Sequence, residues 1–180
     1  MSSITNDSLS AGKNSLSTVQ VVEFMLGDEH FAIDLFDVKE VVEYTTITKL
    51  PNVPGYLKGI IDLRGEITTI IDLKQRLNIT GKSLKDLESS RIIVLDDNVS
   101  TKKIGILVDE VNSVSTFEGN DVDSTSASIS NNDTAIIGII KRKVKEKEKE
   151  RNELIIWIDI KQLLRDIDAS LCGHQNVPAD

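Results

Sequence analysis

Chemistry in this chain would have to come from very few side chains. It has two histidines, His30 and His174, and one cysteine, Cys172. Imidazoles and thiolates are the usual ligands of structural or catalytic metals and the usual actors in nucleophilic catalysis. Here their spacing serves neither role. His30 lies in a strand-like stretch with no second His or Cys nearby, and His174 lies in the C-terminal tail. Both read as surface or edge histidines, and no metal is expected. Cys172 has only that tail histidine as a neighbour, which argues against a nucleophile. No Gly-rich phosphate loop of Walker or dinucleotide type is present, and no Gly-x-Ser-x-Gly elbow, so no cofactor is expected. Four carboxylates, Asp62, Asp72, Asp109 and Asp159, fall at the ends of strand-like segments. Two of them brought together could do acid–base work. Carboxylates in such places ordinarily accept backbone N–H groups of the next turn or helix. Capping is the reading adopted, and the chain is expected not to be an enzyme.

Charge narrows the partners. The net charge is −8 over 180 residues. Residues 141–151 hold seven Lys/Arg and three Glu, a local +4, so the rest carries −12. An acidic body repels phosphate backbones and anionic headgroups, so neither nucleic acid nor a membrane is expected as partner. The run itself has two readings: a basic arm for nucleic acid or lipid, or a solvated hairpin tip. Its interleaved glutamates cancel much of the field, which favours the tip. A lone cysteine fits a reducing compartment. The leader has no apolar h-region, and the longest fully apolar run, Leu154 to Ile158, is far below the roughly 20 residues of a spanning helix. A cytoplasmic location follows as the expectation.

These residues must be positioned by short elements. Residues 1–19 read as a disordered leader. Val22, Phe24 and Leu26 alternate with Glu23 and Met25, a strand signal, and Gly27-Asp28 makes a turn into His30–Leu35. Asp34 is placed to cap a short helix carrying Val38, Val41 and Val42. Tyr44–Leu50 is extended, and Pro51–Gly55 is a loop. Tyr56–Leu63 and Glu66–Leu73 form a hairpin around Arg64-Gly65, and Asp72 caps a helix to about Asn78. Residues 79–90 are a polar connection. Ile92–Leu95 and Ile104–Val108 are strands, followed by Val111 and Val114. Residues 118–133 read as a long loop. Ala135–Ile140 and Leu154–Ile160 are the last strands, bridged by the charged run, and Lys161–Ile167 is a closing helix. Many short strands with Gly and Pro punctuation indicate a mainly β barrel or sandwich.

Several segments together resemble one family. They are Phe24–Leu35 (FMLGDEHFAIDL), Val38–Val42 (VKEVV), Pro51–Leu73 (PNVPGYLKGIIDLRGEITTIIDL), Arg91–Leu95 (RIIVL), Ile104–Val111 (IGILVDEV), Ile136–Ile140 (IIGII) and Leu154–Ile160 (LIIWIDI). They are similar to the CheW family of chemotaxis coupling proteins, over most of residues 20–168. The resemblance implies two intertwined five-stranded SH3-like β-barrels with a few short helices. It places the first subdomain at about 33–88, the second at about 20–32 plus 89–168, and a flexible tail at 169–180. It implies an adaptor that bridges the cytoplasmic tip of a methyl-accepting chemotaxis receptor, lying in a groove between the barrels, and the regulatory domain of a CheA-type kinase. It also implies a protein monomeric alone and assembled in receptor–kinase arrays. Two other readings stand beside it: an adaptor for another receptor–kinase pathway, and a small ligand-binding or hydrolytic barrel.

By the same resemblance Glu40 and Arg64 are polar binding residues of a kind that can pair. Val38, Lys58, Gly59, Gly105, Val111 and Val114 match neighbouring positions. Each has a plainer reading. The glycines allow close backbone approach, the valines are core, and Glu40 with Arg64 is a structural ion pair worth about 0–1 kcal/mol if exposed. The charged run VKEKEKERNE and the Ser/Asn-rich stretch 118–133 depart from the family pattern.

Overall fold

The computed structural model describes residues 17–81, 87–124 and 135–172. Its strands are β1 (Thr18–Leu26), β2 (Glu29–Asp34), β3 (Val38–Glu43), β4 (Leu57–Leu63), β5 (Glu66–Asp72), β6 (Arg91–Leu95), β7 (Ile104–Val108), β8 (Glu110–Glu118), β9 (Val122–Asp123), β10 (Ile136–Glu146) and β11 (Lys149–Ile158). Two α-helices, α1 (Leu73–Arg76) and α2 (Ile160–Cys172), and two single 3-10 turns complete it. Six strands pair in the order β8-β1-β2-β11-β10-β9, and five in the order β3-β6-β7-β5-β4. Each sheet curls into a small SH3-like barrel. The chain begins the first barrel with β1 and β2, builds the whole second barrel with β3 to β7, and returns to finish the first. The two are therefore intertwined, as the resemblance implies.

The alternation of β1 explains its place. Val22, Phe24 and Leu26 face a core shared by both sheets, with Ile33, Ile71, Ile93, Ile106 and Ile158. The opposite face sends Val21 into the interior of the six-stranded barrel, beside Ala32, Ile140, Ile155 and Phe117. A third cluster, with Ile61, Ile70, Ile92 and Val94, fills the five-stranded barrel. The shared core is the largest of the three. Each buried Ile, Leu or Phe is worth about 1.5–3 kcal/mol, so this interior holds the barrels together. Helix α2 seals it with Ile160, Leu163, Leu164 and Ile167, the i, i+3, i+4, i+7 set of an amphipathic helix. Lys161 also bonds Asp37 at 3.0 Å, and that hydrogen bond and charge hold the Lys161 ammonium above its usual range.

Four expectations are corrected. Val38–Val42 is a strand, not a helix. Asp34 does cap, accepting from Phe36 N at 2.9 Å, but only for the 3-10 turn Leu35–Asp37. Val38, Val41 and Val42 then follow β-branched preference and pair with β6. Second, the nine-residue strand β8 runs through Val111 and Val114 to Glu118, and β9 lies within the expected loop 118–133, whose residues 125–133 fall outside the described part. Third, the subdomain boundary at 89 does not match the pairing: β6 and β7 join the five-stranded sheet, with β7 parallel to β5. Residues 33 and 34 also stay with β2 in the six-stranded sheet, which has one strand more than expected. Fourth, α2 continues through residues 169–172, expected as tail, and strand structure already begins at Thr18 within the expected leader. Residues 1–16 and 173–180 lie outside the described part.

The four strand-end aspartates all accept a backbone N–H. Three cap the next turn or helix: Asp62 accepts from Gly65 N at 2.8 Å, Asp72 from Gln75 N at 3.2 Å and Asp159 from Gln162 N at 3.0 Å. Asp109 does not; it accepts from Gly27 N of the distant β1–β2 turn at 2.6 Å and from Lys74 Nζ at 2.8 Å.

Candidate binding surface

The β4–β5 hairpin carries the sharpest feature of the surface. Register pairs Leu63 with Glu66, so Arg64-Gly65 is a two-residue loop. Both residues have positive φ, 51° and 86°, as a turn matching the strand twist demands. Arginine adopts this region uncommonly. The Asp62 carboxylate, holding Gly65 N, braces the turn. The Arg64 side chain leaves this turn and its Nη2 donates to Glu40 Oε1 on β3. β3 and β4 are the two outer strands of the five-stranded sheet, so the pair spans the open end of the curl. A hollow of about 300 Å³ lies there, edged by Lys39, Leu63, Glu66, Thr68, Val94 and Lys103. Arg64 is 68% exposed and Glu40 28%. An ion pair so exposed contributes about 0–1 kcal/mol to folding. Its charges stay available to a partner.

A second hollow of about 420 Å³ flanks β4, with Tyr44, Ile47, Lys49, Leu87 and Leu107 in its wall. Lys58 bonds Asp72 at 3.1 Å, and Lys74 bonds Asp109 at 2.8 Å, at its rim. The shared core packs the interior between the barrels, and concave surface lies beside it.

The remaining expected residues divide. Val38 and Val111 are half-buried against the shared core. Val114 stands on β8, 57% exposed, in the other sheet from Glu40 and the hairpin of Arg64. Gly59 and Gly105 present no side chain and are buried. At Gly59 (φ 144°) an added Cβ would lie 2.0 Å from the Thr48 carbonyl oxygen; at Gly105 it would lie 2.7 Å from Ile92 Cγ2. Both positions are explained by close packing. The structure thus brings Glu40 and Arg64 together and keeps Val38, Lys58 and Gly59 on the same barrel.

The sequence reading missed one polar cluster entirely. Glu23, placed on a face opposite the apolar one, is 1% exposed. Arg142 Nη1 donates to both its oxygens at 2.8 and 2.9 Å, while Nε and Nη2 donate to Glu153 at 2.9 and 2.6 Å. His30 Nδ1 lies 3.3 Å from the other Glu153 oxygen. Burial alone would raise the Glu153 carboxyl. The hydrogen bonds and charge of Arg142, helped by His30 and Arg151, reverse that and hold it below its usual range. A single Glu inside the apolar run Val21–Leu26 was the available signal. Phe36, 74% exposed, and Ile67, 59% exposed, were likewise not singled out.

Among the described residues no group of three or more His, Cys, Asp or Glu is placed to hold a metal ion. No helix among them is long and apolar enough to cross a membrane.

A double β-barrel presenting exposed charged and apolar side chains on a rigid frame defines a scaffold for binding other molecules. The comparisons give the family: residues 20–168 match the CheW-like domain model, and the chain belongs to that family. It is 36% identical over 107 residues to the chemotaxis protein CheW of Treponema pallidum, covering 58% of this chain and 62% of that one. It is 30% identical over 146 residues to the chemotaxis protein CheW of Bacillus subtilis, covering 81% and 86%. The crystal structure of the scaffolding protein TtCheW from Thermoanaerobacter tengcongensis superposes with a TM-score of 0.64 at 32% identity, over 84% of this chain and 91% of that one. The chain therefore spans under two thirds of the Treponema relative and most of the other two.

Proposed function

We propose that this chain is a cytoplasmic, non-enzymatic adaptor that couples methyl-accepting chemoreceptors to a CheA-type histidine kinase. The observation that carries the reading is the exposed Arg64–Glu40 pair on a braced hairpin, in a chain of the CheW-like family. A receptor tip is a helical hairpin, and a helix lays i, i+3, i+4 and i+7 side chains along an apolar surface. With the seam filled, that helix lies over the surface beside it, where Val38 and Lys58 stand and where Arg64 and Glu40 set its register. Val111 and Val114 supply apolar surface on the six-stranded barrel. The kinase's regulatory domain takes a separate face, for which exposed Phe36 and Ile67 are the apolar candidates. Control requires that receptor states bind adaptor and kinase unequally, since equal affinity transmits nothing. The protein is monomeric alone, and weak contacts gain strength by multivalency in an array.

Two outcomes follow. Arg64→Glu places like charges at Glu40 and is expected to weaken receptor-tip binding about tenfold or more, a change on the order of 1.4 kcal/mol or above. Its unfolding midpoint stays near wild type. The swap Glu40→Arg with Arg64→Glu recovers part of the affinity. Wild-type affinity of the single variant in a titration overturns the role. Second, joining Lys143 to Asn152 through Asn-Gly removes the charged tip but keeps Arg142 with Glu153. Receptor control of kinase activity in a reconstituted array is expected to be unchanged, and its loss would contradict the solvated-tip reading.

A further inference from the structure

Beyond Ile140 the β10–β11 hairpin continues with no third strand paired to it among the described residues. β9 pairs with β10 only at Ile139 and Ile140, and β2 pairs with β11 only at Ile156 and Trp157. Lys141–Glu146 and Lys149–Leu154 pair only with each other among the described residues. At ~3.3 Å per residue, this ribbon runs on for about 20 Å. Its two faces differ. One carries Arg142, turned to Glu23 and Glu153. The other carries Lys141, Lys143 and Lys145 opposite Leu154, Asn152 and Glu150. Lys141 bonds Asp123 at 3.1 Å. Lys143 and Lys145 make no ion pair among the described residues, and Leu154 beside them is 56% exposed. A hollow of about 530 Å³, edged by Phe117, Asn120 and Asn152, opens where β10 leaves β9.

A two-stranded ribbon standing alone is marginal in water. Its outer edge turns the N–H and C=O of every second β10 residue away from β11, a template for one more strand. We propose that the β10 edge from Lys141 to Glu146 accepts an acidic, extended segment of another protein, added as a strand in line with β9. Charge selects this occupant. A second copy pairing antiparallel along the same edge would set lysines against lysines, which destabilises directly opposed positions. Nucleic acid has no backbone amides to match the alternating N–H and C=O groups of the edge. Lysines on an edge also discourage aggregation. If that were their whole role, no acidic strand would bind.

The test uses the full chain and three labelled probes, the peptides (Glu-Thr)4 and (Glu-Pro)4 and a single-stranded DNA dodecamer, in fluorescence anisotropy. The two peptides carry equal charge, but proline removes half of the backbone donors. The expected result is that (Glu-Thr)4 binds at least tenfold tighter than either other probe. The double variant Lys143→Glu with Lys145→Glu, whose sites are exposed, loses that binding while its thermal midpoint is unchanged. No binding of (Glu-Thr)4, equal binding of (Glu-Pro)4, equal binding of DNA, or undiminished binding by the double variant each overturns the proposal.

Discussion

Replacing Arg142 by Met is expected to cost about 3–5 kcal/mol of folding free energy. Among the described residues the guanidinium is the only cation bonded to Glu23, which is 1% exposed. Methionine keeps an apolar stem of similar reach and removes the charge, so packing changes little. What remains is a buried carboxylate without its counter-ion, and Glu153 loses two donors at the same time. The pair is not a net gain over an apolar alternative, because desolvating both ions offsets their attraction. Glu23→Leu combined with Arg142→Met should therefore recover most of the loss. Urea denaturation of wild type, single and double variants measures this as a cycle; a single variant within 1 kcal/mol of wild type would show that Glu23 needs no cation. The pH dependence has a fixed sign. Glu153 is held below its ordinary value of 4.5, so its contribution is complete above that value in the unfolded chain. It fades as pH falls through the lower folded value. The gap between wild type and Arg142→Met should accordingly narrow in acid below about pH 4.5.

Gly59→Ala is expected to destabilise by about 3 kcal/mol or more. Gly59 has φ 144°, a region that side chains rarely adopt, and its added Cβ would meet backbone: Thr48 O at 2.0 Å and Thr48 C at 2.8 Å. Thr48 cannot retreat cheaply. It exchanges two backbone hydrogen bonds with Ile60, both 2.9 Å, which tie the 44–50 segment to β4. Gly105→Ala is a milder case, since the nearest atoms are side-chain methyls of Ile92 and Ile70 and not backbone; overpacking of that kind costs about 1–3 kcal/mol. The ordering of the two midpoints in urea checks the argument. Affinity for a receptor tip, measured per folded molecule, should be unchanged for Gly59→Ala. A specific loss of affinity in a fully folded variant would return Gly59 to the binding surface.

The fold was legible where side chains advertise one environment. The hairpin around Arg64-Gly65 could be read because turn chemistry and two flanking apolar runs agree. The pairing of Glu40 with Arg64 was anticipated from family resemblance, not from spacing, since 24 residues separate them. Val38–Val42 misled because Asp34 is a true cap, and nothing local says that the helix stops after one 3-10 turn. Tertiary pairing with β6 decided it. β8 was hidden because Asn112, Ser113 and Ser115 make an edge strand look like a loop. Glu23 could not be placed because its neutralising partner is 119 residues away. Charge pairs at that distance leave no periodic trace in sequence.

The pairing of β2 with β11 joins Phe31 to Ile156 and Ala32 to Trp157, bracketing the entire five-stranded barrel in the chain. As synthesis proceeds from the N-terminus, every strand of that inner roll is made before β11 exists. The inner roll can therefore close early, while Phe24 and Phe31 of the first hairpin still lack the part of their core that comes from Ile158 and helix α2. Contacts spanning so much sequence close slowly. Nascent or freshly diluted chains should pass through a half-finished species in which those two phenylalanines are open to solvent and to chaperones on the side that β11 and α2 later cover.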